Sequence, residues 1–235
     1  MSPRVPRRFC CDEELASIGY DGRDAAKDLT ALRSRGPRST TTELIDVVRA
    51  NGVEGSVVLD VGAGVGAVHL ALLEAGALRA IDVDASRDYL AAAREEATQR
   101  GLHERVAHHY GDIVELAPEL PSADVVTLDS VICCYPYLAP LIRAATGSRP
   151  RLVGLTYPRD TCWMRVYTQL WNLTHAIRGG RERGFIHSQA RLNRLMADGG
   201  YRTIHEGGSR AWRVVVYRRA NGSEQGEMGE ASAGG

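Results

Sequence analysis

Lysine is nearly missing from this chain: Lys27 is the only one in 235 residues, and arginine supplies the other basic groups. Lys+Arg and Asp+Glu both total 29, so there is no excess of one sign to draw the chain to nucleic acid or an anionic lipid surface. Long apolar runs are missing too. No segment reaches the roughly 18 apolar residues of a membrane span, and the opening "MSPRVPRRFCCDEE" lacks the apolar core of a signal peptide. A cytoplasmic location is the expectation. Cysteine is sparse and oddly placed. Cys10-Cys11, Cys133-Cys134 and Cys162 match no Cys-x-x-Cys zinc spacing, and in a reducing compartment thiols are the default. Neighbouring cysteines on a strand point to opposite faces, which argues against a metal at "DSVICCYPYL".

What is present is an alternation. Hydrophobic content of 44% and charged content of 25% are ordinary for one globular domain. Residues 1–40, broken by glycine and proline with one helix predicted near 21–33, read as an N-terminal cap. A helix follows "STTTE", with Thr40 or Thr41 as its predicted cap, and opens the main domain, 41–219. From Ser56 short β-branched runs alternate with helical patterns: "SVVLDV", "RAIDVD", "RVAHHYGD", "ADVVTLD" and "RLVGLTY" are the strands. This alternation predicts an α/β, Rossmann-like, mostly parallel sheet with helices on both faces. "YRTIHE" and "AWRVVVYRR" are separated only by "GGSR", too short for a helical crossover, and predict an antiparallel C-terminal hairpin. The tail 220–235 has little to bury and is expected to be disordered.

Chemistry concentrates at the strand ends. "VVLDVGAGVGAVHLALLEAGA" runs a buried strand through Gly62-Ala63-Gly64-Val65-Gly66 into a helix, a geometry that lets a nucleotide-like ligand approach the backbone. The glycines alone leave dinucleotides and other adenosyl cofactors both open. Asp60, two residues before Gly62, suits a cationic amino group such as that of S-adenosylmethionine. Asp84, followed by Ala85, can accept both ribose hydroxyls, with Asp82 the runner-up on the same strand. Asp112 can accept from an adenine amino group while the Ile113 backbone donates. Each acid taken singly also reads as a helix cap or turn residue; three at successive strand ends point to a ligand.

These words, "LDVGAGVG", "IDVDAS", "YGDIVEL" and "ADVVTLDSVI", in this order and spacing, resemble the cofactor motifs of class I S-adenosylmethionine-dependent methyltransferases over about 56–135. The resemblance implies a seven-stranded sheet of order 3-2-1-4-5-7-6. It implies contacts from Asp60 to the methionine part, Asp84 to the ribose, Asp112 and Ile113 to the adenine, and 129–131, beginning at Asp129, beneath the sulfonium end. More loosely, "ICCYPYL", "LTYPRD" and "FIHSQARLNRLMADGGYRT" are similar to bacterial methyltransferases likened to magnesium-protoporphyrin O-methyltransferases.

Methyl transfer from a sulfonium needs alignment and exclusion of water more than a dedicated base. The catalytic group is left unassigned. Substrate-pocket candidates lie on loops after the fourth and fifth strands: Cys134, Tyr135, Tyr137, Tyr157, Arg159, Asp160 and Trp163, with His187 near the rim. His108 and His109 read as structural, and "RGGRERG" as a solvated loop. The expected activity is S-adenosylmethionine-dependent O- or N-methylation of a small molecule, with no nucleic-acid partner. The alternatives are a nicotinamide-dependent oxidoreductase on the same glycine loop and a non-catalytic cofactor-binding module.

Overall fold

The computed structural model describes residues 22–177, 179 and 183–220. Expectations for the N-terminal cap before Gly22, for Cys10-Cys11, for the tail after 220 and for most of "RGGRERG" concern positions outside these residues. Seven strands, β1 (Val57–Val61), β2 (Arg79–Asp84), β3 (Val106–Tyr110), β4 (Val125–Asp129), β5 (Leu152–Pro158), β6 (Tyr201–Gly208) and β7 (Trp212–Arg219), form one sheet. Its order is 3-2-1-4-5-7-6, parallel except where β7 runs antiparallel between β5 and β6. This is the predicted Rossmann-like architecture with its C-terminal hairpin.

The apolar runs follow from burial on both faces, and the two-residue period of a strand sorts them. Leu59, Val61, Val126, Leu128, Val153, Leu155, Val215 and Tyr217 join one core cluster. Their neighbours Val58, Val125, Leu152, Val214 and Val216 join the other. The first face is covered by α6 (Leu138–Thr146) and α8 (Gln189–Asp198), and the second by α2 (Ser39–Ala50) and α3 (Ala67–Glu74). Four further α-helices, α1 (Gly22–Arg35), α4 (Arg87–Gln99), α5 (Ile113–Leu116) and α7 (Cys162–Ile177), and a 3-10 turn at His103–Arg105 complete the described elements.

Helix α2 lies close against the sheet because Gly154 of β5 has no side chain. A Cβ there would stand 2.6 Å from Leu44 Cδ1. Burial of Leu44, Ile45 and Val48 against β5 and β7 contributes about 2 kcal/mol for each side chain. The predicted cap of this helix is corrected. Its N-cap is Arg38, and Thr41 lies inside the first turn, where its hydroxyl donates to Asp129 Oδ2 at 2.6 Å. Thr41 is buried and faces a strand-end carboxylate, which is a stronger partner for its hydroxyl than the helix backbone.

Helix α1 packs across α4 through Ala25, Leu29 and Leu32, which meet Val65, Tyr89 and Ala92. The Tyr89 hydroxyl donates to Asp28 at 2.7 Å, and Arg33 pairs with Glu95 and Glu96 at 2.8 Å. These contacts bring α1 over the glycine loop.

Candidate functional site

The strand β1 delivers the chain into a loop that only glycine permits at its first position. Gly62 has φ +60°, and a Cβ on it would come within 2.6 Å of Val131 Cγ2. The loop is thus clasped between β2, whose Val83 carbonyl accepts from Gly62 N at 2.7 Å, and the segment after β4. Gly64 and Gly66 also have positive φ, and Gly66 is the N-cap of α3. A bare backbone at a helix N-terminus is a cradle for a polar ligand.

Three carboxylates surround it. Asp84 Oδ2 accepts from Gly64 N at 3.0 Å and Oδ1 from Ser86 N at 2.8 Å, which locks the β2 end to the glycine loop. Burial, with the charges of Asp82 and Asp60 nearby, pushes this carboxyl up to about 7 against the pull of its two backbone donors. Asp112 caps α5 by accepting from Val114 N at 2.8 Å, and the Tyr135 hydroxyl donates to its Oδ2 at 2.9 Å. Burial raises Asp112 above the ordinary carboxylate range, although the Val114 and Tyr135 hydrogen bonds oppose it.

Asp60 is arranged differently. It is 1% exposed; Oδ1 accepts from the Thr127 hydroxyl at 2.7 Å, and Oδ2 lies 3.0 Å from His69 Nδ1. Burial alone would lower the His69 imidazole, but the Asp60 hydrogen bond and the charges of Asp82 and Asp60 outweigh it and raise the pKa. On the neighbouring strands, Asp82 is held by His108 Nδ1 at 2.6 Å, in keeping with a structural role for that histidine. Asp129 closes β4, bonded to Thr41 and to the Thr156 hydroxyl, and the next residue, Ser130, is forced to φ +64°. A serine in the left-handed region is a strained placement of the kind that collects at functional sites.

These groups border one cavity of about 440 Å³. Gly62, Ala63, Gly64, Asp84, Ala85, Asp112, Ile113 and Asp129 all line it, as do Cys134 and Tyr135 among the substrate candidates. Asp60 reaches its floor, and the Gly66 backbone carries the chain on into α3. The other candidates stand elsewhere. Tyr157 is 2% exposed within β5; Arg159 donates to the Ser209 and Gly207 carbonyls of the hairpin; Asp160 pairs with Arg165; and Trp163 is exposed on α7. His187 Nε2 lies 2.8 Å from the Tyr135 carbonyl, and burial lowers its pKa. Several lining residues have no signature in the sequence: Leu32, Arg38 and Thr41 from the N-terminal helices, and Trp212 from the hairpin. They arrive by chain reversal rather than by motif.

The sulfurs of Cys133 and Cys134 overturn the strand expectation. The strand stops at Asp129, the cysteines occupy a turn, and their Sγ atoms lie 3.7 Å apart on the same side.

Residues 58–146 match the family model described as a methyltransferase domain. Curated relatives include the ribosomal protein L11 methyltransferases of Citrobacter koseri, 31% identical over 140 residues, and of Enterobacter sp., 28% identical over 140; each alignment covers 59% of this chain and 47% of the relative. The chain therefore spans about half the length of the curated relatives it matches. Among solved structures, magnesium protoporphyrin IX methyltransferase (ChlM) from Synechocystis PCC 6803 with bound SAH superimposes with TM-score 0.67 at 18% identity, over 88% of this chain and 98% of that one. An O-methyltransferase family protein from Burkholderia thailandensis gives TM-score 0.68 at 18% identity, over 93% and 66%. The methyltransferase-domain match over 58–146, the sheet order and the glycine loop ringed by strand-end acids together support a class I S-adenosylmethionine-dependent methyltransferase.

Proposed function

We propose that the chain transfers the methyl group of S-adenosylmethionine to a small-molecule acceptor in the cavity above the glycine loop. The observation that carries this reading is the convergence of Asp84, Asp112 and the Gly62–Gly66 backbone on one cavity of about 440 Å³. When bound, the cofactor supplies an already activated methyl group on a sulfonium.

The residues of the chain then have separate tasks. Asp84 accepts from the two ribose hydroxyls with both carboxylate oxygens, a bidentate hold whose energy depends on its being ionised. Asp112 takes the adenine amino group and the Ile113 backbone N–H a ring nitrogen. The glycine loop admits the methionine part, and 129–131 supports it from below. Asp60 acts at one remove: only 1% exposed and held by His69 and Thr127, it fixes the end of β1 and the loop, whereas the half-buried Asp84 carboxylate keeps lone pairs for a ligand beside its Gly64 and Ser86 bonds. In-line displacement needs acceptor and methyl aligned near 3 Å with water excluded. Helix α1 serves as the cap over that space, as its contacts with Val65 and Tyr89 support. The O- or N-acceptor has to enter past Cys134 and Trp212, which line the remaining wall.

The relatives named for ribosomal protein L11 favour a second reading, a protein acceptor. One experiment separates the two. The enzyme is incubated with methyl-labelled S-adenosylmethionine and fractionated cell extract: label in the small-molecule fraction supports the proposal, and label confined to protein replaces it with the second reading. S-adenosylmethionine and S-adenosylhomocysteine should both raise the melting temperature; no shift with either at millimolar concentration defeats both readings.

A further inference from the structure

Methyl transfer from a sulfonium uses no thiol, yet two thiols line the cavity. After Asp129 the left-handed Ser130 reverses the chain, and both Cys133 Sγ and Cys134 Sγ turn toward the Ser130 carbonyl, at 3.2 and 3.7 Å. Their own separation is 3.7 Å, and both side chains are half-buried. Cys162, by contrast, is exposed on α7.

The spacing selects the chemistry. Adjacent Cα atoms are about 3.8 Å apart across a trans peptide, below the span of ordinary disulfides, so the pair is poorly suited to closing on itself. Two sulfurs held at about 2.3 Å by one bridging centre stand about 3.3 Å apart at a pyramidal angle near 90° and about 3.8 Å apart at a tetrahedral one, and the Sγ atoms at 3.7 Å need shift by only a few tenths of an ångström for either. Zinc and similar cations call for three or four protein ligands. Among the described residues, no group of three or more His, Cys, Asp or Glu could hold a metal ion. A trivalent arsenic centre needs only two thiolates and keeps its third substituent.

We propose that Cys133 and Cys134 form a bidentate binding site for thiophilic trivalent arsenic compounds on the wall of this cavity. With an organoarsenic(III) oxide, two As–S bonds form while the As=O bond and both S–H bonds break. The oxide oxygen leaves as water with the two thiol protons, and arsenic stays trivalent throughout. The site is independent of methyl transfer, since capture requires neither cofactor nor acceptor.

The test uses the full chain with Cys10, Cys11 and Cys162 replaced by serine, treated with phenylarsine oxide in excess glutathione and read by intact mass. One arsenical should be retained per chain and released by 2,3-dimercaptopropanol. Cys133→Ser or Cys134→Ser in that background should weaken retention about 100-fold, because a single thiolate loses the effective concentration of its neighbour. Loss of the arsenical to glutathione from the parent protein, or undiminished retention by either serine variant, would overturn the site.

Discussion

His69 Nδ1 lies 3.0 Å from Asp60 Oδ2, a residue that lines the cavity at the glycine loop, and neither side chain is more than 1% exposed. Removing one member of such a buried pair strands the other. Asp60→Ala should cost about 3 kcal/mol in urea unfolding, more than an exposed carboxylate would.

The same pair gives stability a pH dependence. With its folded pKa raised, His69 contributes stability that is fully present below about pH 6.5 and is lost as pH rises through the folded value. Asp84, also raised, adds its penalty lower, as pH climbs from its ordinary 3.8 toward about 7. His69→Asn should therefore flatten the unfolding free energy above about pH 6.5 and leave the slope below it. A variant with the wild-type slope in the upper window would remove His69 as its source.

Cofactor affinity should follow the ionisation of Asp84. The ribose hydroxyls donate to a carboxylate, so S-adenosylhomocysteine should bind more tightly as pH rises through about 7 and level off above it. Asp84→Asn should abolish that rise and weaken binding by about 10- to 100-fold, the equivalent of a charged hydrogen bond. Isothermal titration across this range reads both effects.

Gly62 and Val131 should behave as a coupled pair. Gly62→Ala brings a methyl group to 2.6 Å from Val131 Cγ2 at φ +60°, and should cost about 2 kcal/mol and most of the cofactor-induced thermal shift. Adding Val131→Ala removes the steric part, so the double variant should recover part of the shift while the backbone penalty persists. Strict additivity would show that the two do not meet.

The Tyr135 hydroxyl donates to Asp112 Oδ2 at 2.9 Å while its side chain lines the cavity. Tyr135→Phe should raise the dissociation constant of S-adenosylhomocysteine about fivefold, or ~1 kcal/mol. Unchanged affinity with slowed transfer would place the hydroxyl on the acceptor instead.

The glycine loop, the strand-end acids and the hairpin were legible because each is local. A β-branched run, a glycine needing positive φ, and a four-residue connection too short for a crossover all state their geometry within a few residues. The pocket wall was not legible in this way. Tyr157 and Arg159 follow the fifth strand as pocket residues should, yet one is enclosed in the sheet and the other is spent on hairpin carbonyls. Cys133 and Cys134 read as opposed strand side chains, but β4 ends at Asp129 and Ser130 turns them to one side.

Sequence alone thus determined the α/β sheet, its reversal at the C-terminal edge, and which strand ends carry carboxylates. Tertiary structure alone decided that Asp60 is engaged by His69 and Thr127, that Thr41 reaches Asp129 across 88 residues, and that α1 roofs the glycine loop. The reason is physical. Backbone propensity and hydrophobic period act over one turn or one strand, whereas the partner of a buried polar group is whichever group the packed chain brings within about 3 Å.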